Sequence, residues 1–389
     1  MTSRARASRT IGLSLCVWLA APVAWGEPPA PIDPTLFSFP GAVENPASAR
    51  SAGVALADQW LGDDPFSNPT ALGRNEVQLS PNLVRASRQD LRADNRNYDE
   101  QAGFFDGAGA AIGTAMVPWG GALWLYAFQP VLRLEDFAFN RGTGNDPSVI
   151  PAALSAHAET REAREGLAAS WPIGRLRAGA AVEVTQRRDS YQTIENSGAP
   201  DNGKRRVQFD DDGVGFQVGV RYETPVRGLP TTIGAAARSV PSLDLQGTQQ
   251  FELLSGSSTT EVASERKSAW EGGISVRCTV VPALQVLAAA GGRGRQEWPA
   301  FGVESGRLFR WGAGFEYREP ETPLALRFGV ALESQSRVPE SRASLVGLGV
   351  AYDWDGTWVE VGALHRSVER ASSPKSSDDR VVASLKVSF

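Results

Sequence analysis

Apolar residues alternate with polar or small residues along most of this chain, and the alternation has a period of two. In residues 309–318, Phe309, Trp311 and Phe315 fall on one side of an extended chain, while arginine, glycine and glutamate fall on the other. The same pattern recurs in residues 214–223, 324–333, 346–354 and 381–389. Successive side chains of a β-strand point to opposite faces, so this period indicates strands and not helices.

Strands with one apolar face fit either a water-soluble β sandwich or a membrane barrel, and three further features favour the barrel. The opposite faces combine glycine, alanine, arginine and glutamate, which suits a crowded polar lumen. Short turns alternate with long polar connections, the layout of periplasmic turns and external loops. Aromatic residues end the apolar faces near the short turns, as in an interfacial girdle; they are Trp171, Tyr222, Tyr317 and Trp354. The sequence therefore predicts an all-β fold, a transmembrane antiparallel outer-membrane β-barrel of about fourteen strands.

The N-terminal residues predict export and a segment that precedes the barrel. Arginines at positions 4, 6 and 9 lead into the apolar run 11–21, and Ala24-Trp25-Gly26 places small residues before a cleavage site. We interpret residues 1–26 as a secretory signal peptide cleaved near Gly26, which predicts localisation in the bacterial outer membrane. Residues 27–75 do not alternate, and we expect them to form an N-terminal hatch or plug. Residues 76–389 are the predicted transmembrane β-barrel.

Composition excludes several classes of function. After cleavage one cysteine, Cys278, and two histidines, His157 and His365, remain, so neither an internal disulfide nor a Cys/His zinc cluster is possible. We predict no metal and no cofactor. The net charge of −5 argues against nucleic acid as a partner. The aromatic Phe389 at the end of the last strand is the expected recognition signal for the outer-membrane assembly machinery.

The stretches "ARSAGVALAD" (49–58) and "DDPFSNPTALG" (63–73) resemble the N-terminal hatch of the long-chain fatty acid transporter (FadL-like) family of outer-membrane proteins. Thr70 stands where that family has alanine, and the chain is shorter than the fatty acid transporters proper. The matching positions are Ala52, Gly53, Ala57, Asp58, Asp63, Asp64, Asn68, Pro69 and Leu72.

The resemblance implies passive uptake of a small hydrophobic or amphipathic compound, fatty-acid-like or hydrocarbon. It also implies an alternative, because related PorV-type barrels act as secretion or surface-anchoring partners. The hatch residues that it indicates are Asp58, Asp63, Asp64, Asn68 and Pro69.

Candidate ligand contacts and lumen charges follow from the predicted loops and inward faces. Aromatic and leucine residues in the expected external connections 136–158 and 240–262 are candidates to catch a hydrophobic ligand, with a girdle or loop-core role as the alternative: Phe137, Phe139, Phe251, Leu253 and Leu254. The inward charges are expected to pair and brace the lumen, and an unpaired arginine would hold a carboxylate head. They are Arg177, Glu183, Arg221, Glu223, Glu316, Arg318 and Arg327.

An enzymatic alternative rests on His365 and Ser367, which share one outward strand face near the outer rim. Outer-membrane phospholipases resemble this, with a His-x-Ser pair on the barrel exterior. A nucleophilic serine also needs a group that orients the histidine and an oxyanion hole. Val368-Glu369 stands where that family has Asn-Gly. We therefore expect no enzyme activity, with a phospholipase as the third alternative, and we expect membrane lipid and a hydrophobic ligand as partners.

Overall fold

The computed structural model of the chain describes residues 46, 48–63, 65–71, 75–89, 99–104, 108–116, 120–141, 152–196, 203–253, 256–298, 303–305, 307–336, 341–370 and 376–388. Within these residues there is one short helix, α1 (Ala49–Gly53), and almost everything else is strand. No helix in these ranges is long and apolar enough to cross a membrane. The predicted signal peptide lies outside the described residues.

The described residues contain nineteen strands. The first ten are β1 (Glu76–Gln89), β2 (Asp99–Phe104), β3 (Ala108–Met116), β4 (Gly121–Arg141), β5 (Ala152–Ile173), β6 (Leu176–Asn196), β7 (Gly203–Val226), β8 (Leu229–Val240), β9 (Leu243–Leu253) and β10 (Gly256–Arg266). The others are β11 (Ala269–Val281), β12 (Leu284–Arg293), β13 (Gln296–Trp298), β14 (Val303–Ser305), β15 (Leu308–Arg318), β16 (Leu324–Gln335), β17 (Ser341–Trp354), β18 (Thr357–Arg370) and β19 (Ser376–Ser388).

These strands form a closed antiparallel barrel of fourteen staves, as the sequence predicts. Three staves each consist of two strands placed end to end. β2 and β3 form the stave that pairs with β1, and β8 and β9 form the stave that pairs with β7. β10 and β11 form the stave that pairs with β9 and β8. The short hairpin of β13 and β14 stands apart from the barrel sheet. Pairing of β1 with β19, from Glu76 opposite Ser388 to Gln89 opposite Ser376, closes the sheet. Closure leaves no sheet edge to face lipid, which cannot satisfy free backbone groups.

The alternation sorts side chains between the outside and the lumen as expected. On β15, Phe309, Trp311 and Phe315 are exposed on the outer surface, while Gly312 and Glu316 are buried on the inner side. The outer face therefore presents an apolar band to lipid, and the inner face carries the charges and glycines.

Several staves are longer than a membrane requires, and this corrects the predicted loops. β4, β5, β6 and β7 have 21, 22, 21 and 24 residues, whereas about 9–11 tilted residues cross a bilayer. β4 reaches Arg141, β5 begins at Ala152 and β9 covers 243–253. The prediction of long polar loops over residues 136–158 and 240–262 was therefore wrong. Antiparallel pairing continues beyond the bilayer, where both faces meet water and the apolar alternation stops. At the other rim, tight turns at Gly174, Gly228 and Gly356 have positive φ of 64°, 83° and 85°.

Candidate functional site

Residues 48–63 and 65–71, which we call the inner segment, lie against the inner wall of the barrel. Helix α1 starts at the N-cap Ser48, whose hydroxyl accepts a hydrogen bond from the Ser51 amide at 3.2 Å. It ends before Ala55 and Leu56, which have positive φ of 48° and 66°. The Ala49 amide donates to Ser384 Oγ on β19 at 2.8 Å. The chain thus follows the wall in turns and fills the space between opposite staves.

Glycines on the inner faces of the staves make room for this segment. A Cβ at Gly219 would lie 2.1 Å from Asn68 Oδ1, and a Cβ at its cross-strand neighbour Gly179 would lie 2.6 Å from the Pro69 oxygen. The same holds around the barrel, where a Cβ would come within 2.0–2.2 Å of inner-segment backbone at Gly234, Gly329, Gly347 and Gly362. These inner positions are glycine because the segment touches the wall there.

Asn68 organises the turn that carries the predicted hatch motif. Its side-chain Nδ2 donates to the Trp60 carbonyl at 2.7 Å, and its Oδ1 accepts from the Thr70 amide at 3.0 Å. The Thr70 hydroxyl donates to the same oxygen at 2.8 Å. Asn68 and Thr70 are completely buried. The departure of Thr70 from the family's alanine therefore has a local explanation, since its hydroxyl adds a hydrogen bond to the turn.

Asp63 joins three arginines from different parts of the molecule. Its carboxylate lies 2.6 Å from Arg277 on β11, 3.2 Å from Arg221 on β7 and 3.6 Å from Arg50 of α1. Burial alone would raise the pKa of Asp63, but Arg277, Arg50 and Arg221 hold it well below its ordinary value. Asp63 is thus a charged tie between the inner segment and two staves.

Arg50 and Asp58 extend this ion cluster within the inner segment. Arg50 lies 3.4 Å from Asp58 and 3.3 Å from Glu316 on β15, and the Ser51 hydroxyl donates to Asp58 at 2.7 Å. Of the predicted hatch residues, the structure brings Asp58 and Asp63 to one cluster and places Asn68 and Pro69 on the glycine pair. Asp64 lies outside the described residues.

Most of the predicted lumen charges are paired, some within one strand and others between staves. Glu316 lies 2.7 Å from both Arg327 and Arg318, and Arg327 reaches Glu360 on β18 at 2.9 Å. On the opposite wall, Glu183 pairs with Arg238 at 2.9 Å. Arg221 pairs with Glu223 at 3.0 Å. Arg177 differs, since its guanidinium donates to Ser170 Oγ at 3.2 Å and to the Gly120 carbonyl at 3.3 Å.

A second ion cluster lies nearer the rim to which the long strands β4–β7 extend, which we call the long-stave rim. The sequence indicated Arg187 as an inward charge but did not single out Glu162, Arg164 or Arg266. Buried Glu162 on β5 pairs with Arg164 at 2.8 Å, with Arg187 at 3.2 Å and with Arg266 at 2.7 Å. Arg187 also pairs with Asp189 at 2.8 Å. On β6, Gly179, Glu183 and Arg187 follow one another along the inward face. Arg187 is the nearest of the three to the long-stave rim, so this cluster lies closer to that rim than the Glu183 pair and the Asn68 turn.

An aromatic cluster lies between the Asn68 turn and the Glu162 ion cluster. Phe66 of the inner segment is fully buried, with its ring centroid 5.2 Å from Phe128 and 5.8 Å from Tyr126 on β4. The Tyr126 hydroxyl donates to Glu183 at 2.7 Å, and Arg238 donates to the Phe66 carbonyl. Sequence reasoning missed Phe66; its only signal was an aromatic residue inside the polar turn "DDPFSNP".

The proposed ligand-catching residues lie on strands. Phe137 and Phe139 belong to β4, opposite Ala156 and Leu154 of β5, and Phe251 and Leu253 belong to β9. Leu254 and the C-terminal Phe389 lie outside the described residues. The structure therefore gives only the backbone positions of four of these five residues. Their role in catching a ligand stays a prediction.

The exterior His365 has a carboxylate partner that the sequence did not identify. Its Nδ1 lies 2.6 Å from Asp379 Oδ1 on β19, and both side chains are exposed. Ser367 follows two residues later on the same face of β18. The described strands show no hydrogen bond between Ser367 and His365, and the backbone of β18 is paired on both sides. In these strands no backbone donor there is left free for an oxyanion, and the phospholipase alternative stays a prediction.

Comparison with known proteins finds relatives by structure only. No family model matches the sequence, and no curated protein does. A FadL homologue of Pseudomonas aeruginosa is similar, with a TM-score of 0.64, 12% identity, and coverage of 89% of this chain and 98% of that chain. The toluene transporter TodX of P. putida (TM-score 0.61, 14% identity, 88% and 98% covered) and the toluene transporter TbuX of Ralstonia pickettii (0.58, 14%, 88% and 98%) are also similar. The chain therefore has the fold of the FadL-family outer-membrane barrels, which its N-terminal motif resembles.

Proposed function

We propose that this protein is an outer-membrane channel for passive uptake of small hydrophobic compounds, and that the inner segment is its hatch. The observation that carries the proposal is the way in which the inner segment fills the lumen. Its ties to the wall include the Asn68 and Pro69 turn on a glycine pair, the Asp63 carboxylate beside Arg277 and Arg221, and the Ala49 amide bonded to Ser384. These ties are separate from the hydrogen bonds that pair one stave with the next, so the segment can be released without loss of the barrel.

The chemistry of the lumen supports a hydrophobic cargo. Rings of Phe66, Tyr126 and Phe128 cluster on the long-stave side of the Asn68 turn, where a compound entering from outside meets the inner segment. The nearby arginines Arg164 and Arg238 are paired with Glu162 and Glu183. Because these charges are already paired, they brace the wall, and the buried rings are the groups left to contact a hydrophobic ligand once the inner segment moves.

The similar solved structures include two described as toluene transporters, which supports transport over the secretion-partner role of PorV-type barrels. The same likeness supports the outer membrane as the location. An apolar exterior that exposes residues such as Phe216, Leu348 and Trp311 supports contact with lipid.

Uptake into vesicles tests the proposal. The mature protein and an Asn68→Ala/Pro69→Ala variant are reconstituted into liposomes, and entry of a set of hydrophobic probes is followed. We expect wild type to exceed empty liposomes for at least one probe, and the variant to differ from wild type because its inner segment is released. A Pro282→Ala variant, altered in a turn remote from the inner segment, serves as the control. If correctly inserted wild type and variant both match empty liposomes for every probe, the channel is refuted while the barrel stands.

A further inference from the structure

Strands β9 and β10 form a hairpin that joins the rest of the barrel through two breaks. Residues 241–242 separate β8 from β9, and residues 267–268 separate β10 from β11. The breaks lie side by side, because β9 is paired with β10 on one side of them and β8 with β11 on the other. The ladder of β7 is interrupted there as well, since its pairing with β9 ends at Asp210 and its pairing with β8 begins at Gln217. We call β9 and β10 the outer hairpin, and the breaks give it a hinge.

One strand of this hinge lies on the lumen side of the barrel wall. A Cβ at Gly213, which shares the inner face of β7 with buried Gln217, would lie 2.9 Å from Leu243 Cδ2 and 3.0 Å from Pro241 Cβ. The chain between β8 and β9 therefore crosses in front of β7 as seen from the lumen. Leu243 is fully buried, and Thr185, which stands opposite Gly213 on β6, is almost fully buried. The hinge thus covers this part of the inner wall.

A buried ion pair ties the hinge to a distant stave. Arg266, the last residue of β10, donates to Glu162 Oε2 on β5 at 2.7 Å, and it also donates to the Pro241 carbonyl in the hinge at 3.3 Å. Three staves separate these partners along the wall, namely β6, β7 and the stave of β8 and β9. The pair therefore crosses the lumen instead of joining neighbours, and only 1% of Arg266 is exposed. We call the pair of Arg266 and Glu162 the latch.

We propose that the outer hairpin is a lid over the outer end of the lumen and that the latch holds it closed. When Arg266 leaves Glu162, the hairpin turns about its hinge and Thr185 becomes accessible to water. The described polar partners of the two latch residues lie on β5, on β6 and in the hinge. None of them belongs to the inner segment, so the lid opens while the Asp63 and Asn68 ties stay in place.

The composition of the ion cluster allows the latch to open without loss of the wall. Glu162 keeps Arg164 at 2.8 Å and Arg187 at 3.2 Å when Arg266 departs, so its carboxylate is not left buried without a cation. Arg266 leaves with the hinge and gains water. Opening therefore costs one charge-assisted contact, the strong kind of hydrogen bond, and the closed lid is the favoured state.

Cysteine labelling tests the lid without reference to transport. Thr185→Cys in a Cys278→Ala background is purified in detergent and treated with a water-soluble maleimide. Adding Arg266→Met, which removes the latch charge and keeps a long side chain, is expected to speed labelling at least about 100-fold, the population change that corresponds to breaking a buried ion pair. Arg266→Lys retains the charge and is expected to label more slowly than Arg266→Met.

Arg164→Met is the matched control for this experiment. It removes a buried guanidinium from the same ion cluster, but Arg164 lies on β5 itself, two residues from Glu162, and does not tie that stave to the hinge. We expect it to label at the rate of the Thr185→Cys reference. Equal labelling rates of Arg266→Met and Arg164→Met would overturn the inference.

Hydrogen exchange gives a second readout that includes wild type. In wild type, the amides of residues 243–266 are expected to exchange faster than those of β16 and β17, because the outer hairpin opens as a unit. Arg266→Met is expected to speed that exchange about 100-fold and to leave the inner segment at its wild-type rate. Hairpin amides as protected as those of β16 and β17 in wild type would contradict the lid. Faster exchange of the inner segment in Arg266→Met would contradict its independence.

Discussion

Gly219→Ala is expected to dislodge the inner segment while the barrel remains intact. The added Cβ would lie 2.1 Å from Asn68 Oδ1 and 2.9 Å from Pro69 Cδ, well inside van der Waals contact. Stave β7 cannot yield easily, because Gly219 is paired with Gly179 on one side and Ala236 on the other. The Asn68 turn must therefore move.

The magnitude follows from the hydrogen bonds of Asn68. Its side chain donates to the Trp60 carbonyl and accepts from the Thr70 amide and hydroxyl. All three bonds lie within the inner segment, and the added methyl group displaces the Asn68 oxygen and side chain that make them. At about 1 kcal/mol net for each bond, their loss destabilises the docked turn by about 3 kcal/mol. Since about 1.4 kcal/mol is a factor of ten, the undocked population rises about 100-fold.

Hydrogen exchange and vesicle uptake measure this population. Amides of residues 60–71 are expected to exchange about 100-fold faster in Gly219→Ala, with probe uptake altered in parallel. Gly294→Ala is the matched control, because a Cβ there meets its nearest atom, the Trp270 oxygen, at an ordinary 3.4 Å. If Gly219→Ala inserts correctly and exchanges as slowly as Gly294→Ala, the close approach of Asn68 to β7 is not what holds the segment.

Three further outcomes are expected. Asp63→Asn leaves Arg277 without its 2.6 Å carboxylate and should weaken docking by about 3–5 kcal/mol, the usual cost of breaking a buried pair; exchange as slow as wild type would contradict this. The pKa of Asp63 is lowered in the folded protein, so its stabilisation is complete above its unfolded pKa of about 3.9 and is lost only as the pH falls below that value. Protection factors of the inner segment should therefore be equal at about pH 8 and pH 5 and fall near pH 3, and a loss already at pH 5 would refute the assignment. Phe389→Asp should lower the outer-membrane level of the protein, measured by fractionation, and unchanged levels would show that this residue is not the assembly signal.

The barrel was predictable because each stave separates lipid from lumen. Phe309 and Trp311 must face outward if Arg310 and Gly312 face inward. The alternation in the sequence therefore predicts the barrel directly. Beyond the bilayer both faces meet water and the alternation ends, although the ladder of hydrogen bonds continues. This is why Phe137 and Phe251 were expected on loops and lie on strands.

The site was only partly predictable. Asn68, Pro69 and Asp63 could be selected by their resemblance to a known motif. Their partners could not be, because Gly179, Gly219 and Arg277 are distant in sequence and look like any other inward residues. The burial of Phe66 could not be predicted for the same reason. A single aromatic residue in a polar turn forms no periodic pattern, and its burial depends on β4, which is distant in sequence.

A reversible tether tests the central claim, that cargo enters when the inner segment leaves the wall. A Cβ at Gly314 lies 3.3 Å from Val54 Cβ, near the Cβ separation of about 3.5–4.5 Å in disulfides. The variant Val54→Cys/Gly314→Cys, with Cys278→Ala, is reconstituted beside Gly314→Cys alone, and uptake of a hydrophobic probe is measured before and after reduction. We expect the oxidised double variant to match empty liposomes and to recover, on reduction, the uptake of the single variant, which carries the same 2.8 Å contact between the new Cβ and the Phe328 oxygen. Equal uptake in the oxidised and reduced states would contradict the account.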